Sequence, residues 1–270
     1  MQPYEPIRFP DFIEEKFHGK APLTGDYIAL TAREARTYFA WFQETMPQRI
    51  EYLLNYCSAE MGISISELRI FPDGFLPLWK WFRIHQTLRR STPEEIADME
   101  RKYGFLGESW IMKEVLDELT ERLHFDIGMF FGDQFVKHYP TELSWSYYLT
   151  PKRDIFVKAP VIIGFGKYQK KDGTIGSNVA EPVHLVGSES RLIFQNKMSD
   201  DSLLVLGKVL MDKVYDFDTK AIIPPPGVLK QKRRETAGSG EAPGAGGLIP
   251  WLWLAAKREV YLCSRGERGL

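Results

Sequence analysis

The sequence predicts an α+β domain, predominantly helical with a small antiparallel sheet. Three observations predict it. Apolar residues recur at steps of three and four through most of the first 140 residues, the spacing of helix faces. Between 144 and 186 the pattern changes to short aromatic and β-branched runs: Trp145-Ser-Tyr-Tyr-Leu149, Pro160-Val-Ile-Ile-Gly-Phe165 and Glu181-Pro-Val-His-Leu-Val186. A last helical stripe of Leu203, Leu204, Leu206, Val209, Leu210 and Val214 closes the domain. The predicted boundaries are an N-terminal arm over 1–30, one α+β domain over 31–217 and a flexible basic tail over 218–270. Within the domain, 31–140 is the helical part and 141–217 holds the sheet and the final helix.

The arm is rich in proline and aromatics and has no clear period, so Phe9, Phe12, Phe17 and Tyr27 are expected to pack it onto the body. Thr31-Ala-Arg-Glu34 is a capping box: the hydroxyl accepts from the third amide and Glu34 reaches back. It opens a helix to about Met46, with Ala35, Tyr38, Phe39 and Phe42 on one side. Pro47 suits the first turn of a second helix carrying Ile50, Leu53, Leu54, Cys57 and Met61 inward, and Gly62 ends it. The expected unit is a helical hairpin. Ile63–Ile70 is a connector or a helical turn. A short helix from Asp73 carries Leu76, Leu78, Trp79, Trp81 and Phe82, too apolar all round to lie on the surface. Ser91-Thr-Pro-Glu-Glu95 starts another helix, polar on most sides, that Gly104 stops after Tyr103.

The centre of the chain is a long amphipathic helix ended by Pro140. Leu116, Leu119, Leu123, Ile127, Phe130, Phe131 and Phe135 form its expected core stripe. Gly128 and Gly132 sit four apart inside it, each about 1 kcal/mol less favourable than alanine, so the close approach of another backbone is the expected compensation. After the sheet strands, with turns at Pro151-Lys-Arg-Asp154 and Asp172-Gly173, residues 188–197 fit either helix or strand. Ser199-Asp-Asp-Ser202 opens the last helix.

The periodicity stops at Phe217. Pro224-Pro-Pro-Gly227, the basic run Lys230-Gln-Lys-Arg-Arg234 and the linker-like Gly238–Gly247 follow, so this end reads as appended to the domain. The net charge of −1 hides an asymmetry. Residues 218–270 hold nine Lys/Arg and five Asp/Glu, a net of +4; the remaining 26 Lys/Arg and 31 Asp/Glu give the first 217 residues −5. An acidic body with few bases beside its aromatics disfavours nucleic acid as a partner. Two cysteines, Cys57 and Cys263, make no disulfide framework, which points to a cytoplasmic setting. The longest apolar run, Leu248–Ala256, is nine residues against the roughly 20 of a membrane helix.

Leu78-Trp-Lys-Trp-Phe82, Asp126-Ile-Gly-Met-Phe-Phe-Gly-Asp-Gln-Phe-Val136, Leu143-Ser-Trp145, Pro151-Lys152, Pro160-Val-Ile-Ile-Gly-Phe165 and Pro182-Val183 form a set. In these pieces the chain resembles an uncharacterised bacterial family, mostly of Gram-positive genomes, over about half its length. That resemblance implies a fold and, by analogy, an immunity or interaction role; it carries no chemistry.

The residues themselves suggest no catalytic motif and no cofactor. His124 and His138 are fourteen positions apart, about 21 Å along a helix, too far to share a metal. Cysteine and histidine spacings give no metal site, Gly164-Phe-Gly166 is half a dinucleotide fingerprint in the wrong context, and no Gly-x-Ser-x-Gly elbow exists. Asp126 and Asp133, seven apart beside the glycine face, could share a cleft with Trp145 and His184; these four are the candidate binding residues. The expected function is a non-enzymatic protein-binding or immunity-like module that meets a protein partner through an acidic, aromatic surface. The alternative is a hydrolase-type enzyme using the two helix carboxylates beside the sheet.

Overall fold

A computed structural model describes residues 3–22, 25–103, 113–149, 154–169, 175–195, 199–215 and 217–218. All belong to one compact unit, Met1–Ile222. The tail from 219 on, Gly104 and the turns at Pro151 and Asp172-Gly173 lie outside the described residues. The fold is α+β and predominantly helical, as expected.

The arm is not wholly extended. It contains α1 (Asp11–Lys16) and a 3-10 turn at Asp26–Ala29, and it buries Phe9 and Tyr27, leaving Phe12 and Phe17 half-buried. Thr31 and Glu34 form the capping box of α2. The expected hairpin is overturned: α2 is one helix, Ala32–Met61, with Pro47 in its interior. The buried face shows why. Ala35, Tyr38, Phe42, Met46, Ile50, Leu53, Leu54 and Cys57 continue in one register across the proline. Pro47 itself is exposed, and so is Gln43, whose carbonyl it leaves without a helical donor; water can serve that carbonyl. Tertiary packing of the opposite face outweighs the proline.

A capped turn, α3 (Ile65–Leu68), leads to α4 (Phe75–His85), which buries Phe75, Leu78, Trp79, Trp81 and Phe82. Strand β1 (Leu88–Arg90) precedes α5 (Pro93–Tyr103), a surface helix. β1 pairs antiparallel with β2 (Glu114–Leu116) in a two-stranded ribbon, three residues a side, that the sequence does not predict. Spacing assigns Leu116 to the central helix; it lies in β2 instead, and buried.

The central helix, α6, spans Glu118–His138, capped by the Asp117 carboxylate on the Thr120 amide at 2.7 Å. It is not amphipathic in its middle. Every residue from Arg122 to Phe135 is buried, whereas Leu119, expected in the stripe, is 44% exposed. Five neighbours wrap it. Phe9 of the arm meets Phe125 at 4.8 Å, and Phe75 of α4 meets Phe131 at 4.8 Å. Arg49 of α2 binds Asp126, and Phe165 of the sheet lies 5.9 Å from Phe135. The fifth is α7. A Cβ added at Gly128 would lie 2.7 Å from the Val183 Cα and 2.9 Å from its nitrogen, so the bare backbone here admits α7. At Gly132 the same atom would meet the Trp145 ring at 2.5 Å and Pro182 at 2.8 Å. Each fully buried aliphatic or aromatic side chain on such a helix contributes about 1.5–3 kcal/mol.

The main sheet runs β3 (Ser144–Ser146), β4 (Val161–Gln169), β5 (Ile175–Ala180), antiparallel throughout, with a two-residue parallel strand β6 (Phe217–Asp218) also on β4. Gly164 takes φ +115 at a register shift in β4, a conformation open chiefly to glycine. The strand expected at Glu181–Val186 is a helix: α7 spans Pro182–Ser190. Proline stands at its first turn and the Glu181 carboxylate caps the His184 amide at 2.7 Å, so the local signals are those of a helix start. A 3-10 turn (Arg191–Gln195) leads to α8 (Ser202–Val214), which buries Leu203, Gly207, Leu210 and Val214 and leaves Val209 42% exposed.

The glycine notch gives a direct test. Gly128→Ala gains about 1 kcal/mol of helix propensity but forces a methyl into the α7 backbone, an overpacking cost of about 1–3 kcal/mol or more. We expect a net loss of stability, read as a lower urea midpoint. A midpoint at or above that of the parent would contradict the close approach.

Candidate functional site

The four sequence-predicted residues do not converge. Asp126 is completely buried and faces α2 and the arm. Arg49 grips it with two prongs, Nε to Oδ1 at 2.9 Å and a terminal nitrogen to Oδ2 at 2.6 Å, and the Tyr4 hydroxyl donates to Oδ2 at 2.7 Å. Burial pushes the Asp126 carboxyl above its ordinary range against the pull of Arg49 and Tyr4. A carboxylate saturated in this way ties three elements together. Asp133 pairs instead with Lys137 one turn on, at 2.8 Å. Trp145 fills the Gly132 notch and stands 5.0 Å from the Phe42 ring; its indole Nε1 is buried without a hydrogen-bond partner among the described residues. His184 lies on α7, its ring 5.6 Å from Phe156. Of the four, Trp145 and His184 do come beside the glycine face, Trp145 directly and His184 through the α7 turn begun by Pro182.

A polar cluster does form on the seam between α6 and α7. His124, Glu121, Glu181, His184 and Arg191 line a cavity of about 20 Å³, room for one water. Gly187 borders the cluster; a Cβ there would lie 3.7 Å from the His124 Nδ1, an ordinary contact. His124 is buried, 5.2 Å from the Phe82 ring, and its Nε2 has no hydrogen-bond partner among the described residues. Burial, reinforced by Arg191, lowers its pKa to about 3. The same two causes lower His184 to about 4; its Nε2 is 3.4 Å from the Ser188 Oγ, at the limit of a hydrogen bond. Burial raises the Glu121 carboxyl, opposed by Arg191, Arg89 and Lys20. The cluster therefore sets two imidazoles, both biased toward the neutral form, beside a space that admits one water. Among the described residues, no group of three or more His, Cys, Asp or Glu could hold a metal ion.

A second feature is a tyrosine-rich surface where the arm crosses α2 and α4. Tyr4 stands 5.1 Å from both Tyr52 and Tyr56, and Tyr56 lies 6.1 Å from the buried Trp81. Arg49 stacks over Tyr52 at 4.8 Å. Glu60 accepts from the Trp81 indole at 2.7 Å and meets His85 at 3.0 Å, while Glu51 pairs with Arg69. One turn beyond Trp81, Ile84 is 80% exposed.

Sequence reasoning singled out Asp126 but missed its partners Arg49 and Tyr4. A signal existed: a lone aspartate on a greasy helix requires a cation from elsewhere. Nothing in the spacing said which cation. Glu181 was missed because Glu181–Val186 read as a strand, and Glu121 and Arg191 because no spacing in the chain brings them together.

No family model, no curated protein and no solved structure matches the chain. Among the described residues, no helix is long and apolar enough to cross a membrane.

The histidines set a pH dependence. Both folded-state values lie below the unfolded value of about 6.5, so the unfolded chain binds more protons in this range. Their stabilisation is present above pH 6.5 and is lost as pH falls toward 4. At pH 5 the loss is about 2 kcal/mol per histidine, partly offset by Glu121, which works in the opposite sense. Urea midpoints at pH 7, 6 and 5 should fall steadily, and His184→Gln should remove about half of the slope. A slope unchanged in that variant would refute the assignment.

Proposed function

We propose that the chain is a protein-binding module, and that the tyrosine-rich face of the arm, α2 and α4 receives the partner. The observation that carries this is the cluster of three half-buried tyrosines packed against Trp81, with Ile84 exposed three residues further along α4. Tyrosine supplies large contact area at little entropic cost and dominates interface centres, and Ile84 is an apolar side chain with no packing role of its own. Glu5, whose amide donates to the Tyr52 hydroxyl, and Glu60, which accepts from the Trp81 indole, adjoin the cluster, and the body is acidic overall, which suits a basic partner and speeds encounter. The resemblance to the bacterial family adds an immunity-like role to this reading by analogy. The hydrolase alternative needs Asp126 free to work with Asp133, and Arg49 and Tyr4 already occupy Asp126.

The test is affinity capture with the full chain, followed by reconstitution of the captured protein with purified components. Ile84→Asp and Tyr56→Ala should each weaken the reconstituted complex about tenfold or more, and the association rate should fall as salt rises. A captured protein bound equally well by both variants would overturn the reading.

A further inference from the structure

Away from both features, the loop after α3 and the C-terminal turns of α6 enclose an open groove of about 210 Å³. Its walls are Arg69, Phe71, Gln134, Lys137 and His138. The polar groups on these walls are mainly donors: a guanidinium, an ammonium, an imidazole that carries an N–H in either tautomer, and a carboxamide. The carboxylates that accompany them, Glu51 on Arg69 and Asp133 on Lys137, are not among the walls. Phe71 supplies an apolar side, tilted against the His138 ring at 4.5 Å.

Gln134 is the informative residue. It is only 7% exposed, yet its side-chain amide makes no hydrogen bond among the described residues. Its polar atoms are not among those sealed from solvent, so what access they have is through the groove. A buried amide with nothing to bind costs about 1–3 kcal/mol unless water or a ligand serves it.

The negative end of the α6 dipole also favours basic residues in the last turn, which accounts for Lys137 and His138. It does not account for Arg69, which comes from another element, or for the bare amide. The Arg69–Glu51 pair is a surface pair, its side chains 30% and 58% exposed, worth at most about 1 kcal/mol, so an incoming group can displace it. Lys137 is itself 61% exposed but answers the buried Asp133 carboxylate, so it meets a ligand while keeping that pair.

We propose that this groove binds the phosphate group of a small aromatic phosphate monoester. Arg69 and Lys137 hold the oxyanion, the Gln134 amide donates to it from the floor, and the ring of the ligand lies along Phe71. A dianion with three acceptor oxygens matches several converging donors better than a lone carboxylate does.

The test is a nuclear magnetic resonance titration of the full chain at constant ionic strength, with inorganic phosphate, phenyl phosphate and acetate as separate probes. The Gln134 side-chain amide and His138 ring signals should move with phosphate and saturate at lower concentration with phenyl phosphate. Lys137→Ala, a change at an exposed side chain, should weaken phenyl phosphate about tenfold, and Gln134→Glu, nearly the same shape but repulsive, by at least as much. Should Gln134→Glu fail to fold, the Lys137→Ala arm decides alone. Absent shifts, acetate equal to phenyl phosphate, or shifts unchanged in Lys137→Ala would each overturn the proposal.

Discussion

A helix with no water-facing side must have every charge answered from a neighbour and every neighbour admitted by its own shape. That constraint on α6 shapes the rest of the molecule. From Arg122 to Phe135 nothing on it reaches solvent freely, yet it carries Arg122, His124, Asp126, Asp133 and Gln134. Its aromatic residues supply the apolar drive. Its polar residues decide which elements may cover which side, because an unanswered buried charge costs several kcal/mol.

On one side the answers are ionic. Asp126 calls in Arg49 and Tyr4, and Arg122 takes Glu14 at 2.9 Å together with the Ile7 and Gly19 carbonyls of the arm. These contacts give a chain segment with little regular structure a fixed place, and the tyrosine face is built on it. On the other side the answer is steric. Gly128 and Gly132 remove the side chains that would hold α7 and Trp145 away. The close seam that results is what desolvates His124 and His184 and leaves a space for a single water between them. The third exit from the helix, at Gln134, opens toward the groove beside Phe71.

Much of this was legible in the residues. The glycines announced a close approach, the Thr31 and Ser91-Thr92 signals announced helix starts, and the aromatic runs announced the sheet. The failures have physical causes. Pro47 reads as a boundary because its local cost is visible in sequence, while the packing that overrides it lies on the opposite face of α2. Glu181-Pro-Val-His-Leu-Val186 alternates like a strand, but the proline and the capping glutamate weigh more than the alternation. Leu119 has the right spacing for the core and sits in the first turn, before α6 becomes covered. The candidate site was the least legible. Asp126 is identifiable as unusual, but Arg49 is 77 positions away and Tyr4 is 122. Spacing in one chain does not report such pairings.

The most direct measurement of the account is native-state hydrogen exchange resolved along α6. If this helix is the enclosed centre, the amides from Leu123 to Phe135 exchange only through global unfolding and track the stability measured by urea, while those of the surface helix α5 exchange many times faster. Exchange of α6 as rapid as that of α5 would contradict the central place given to it.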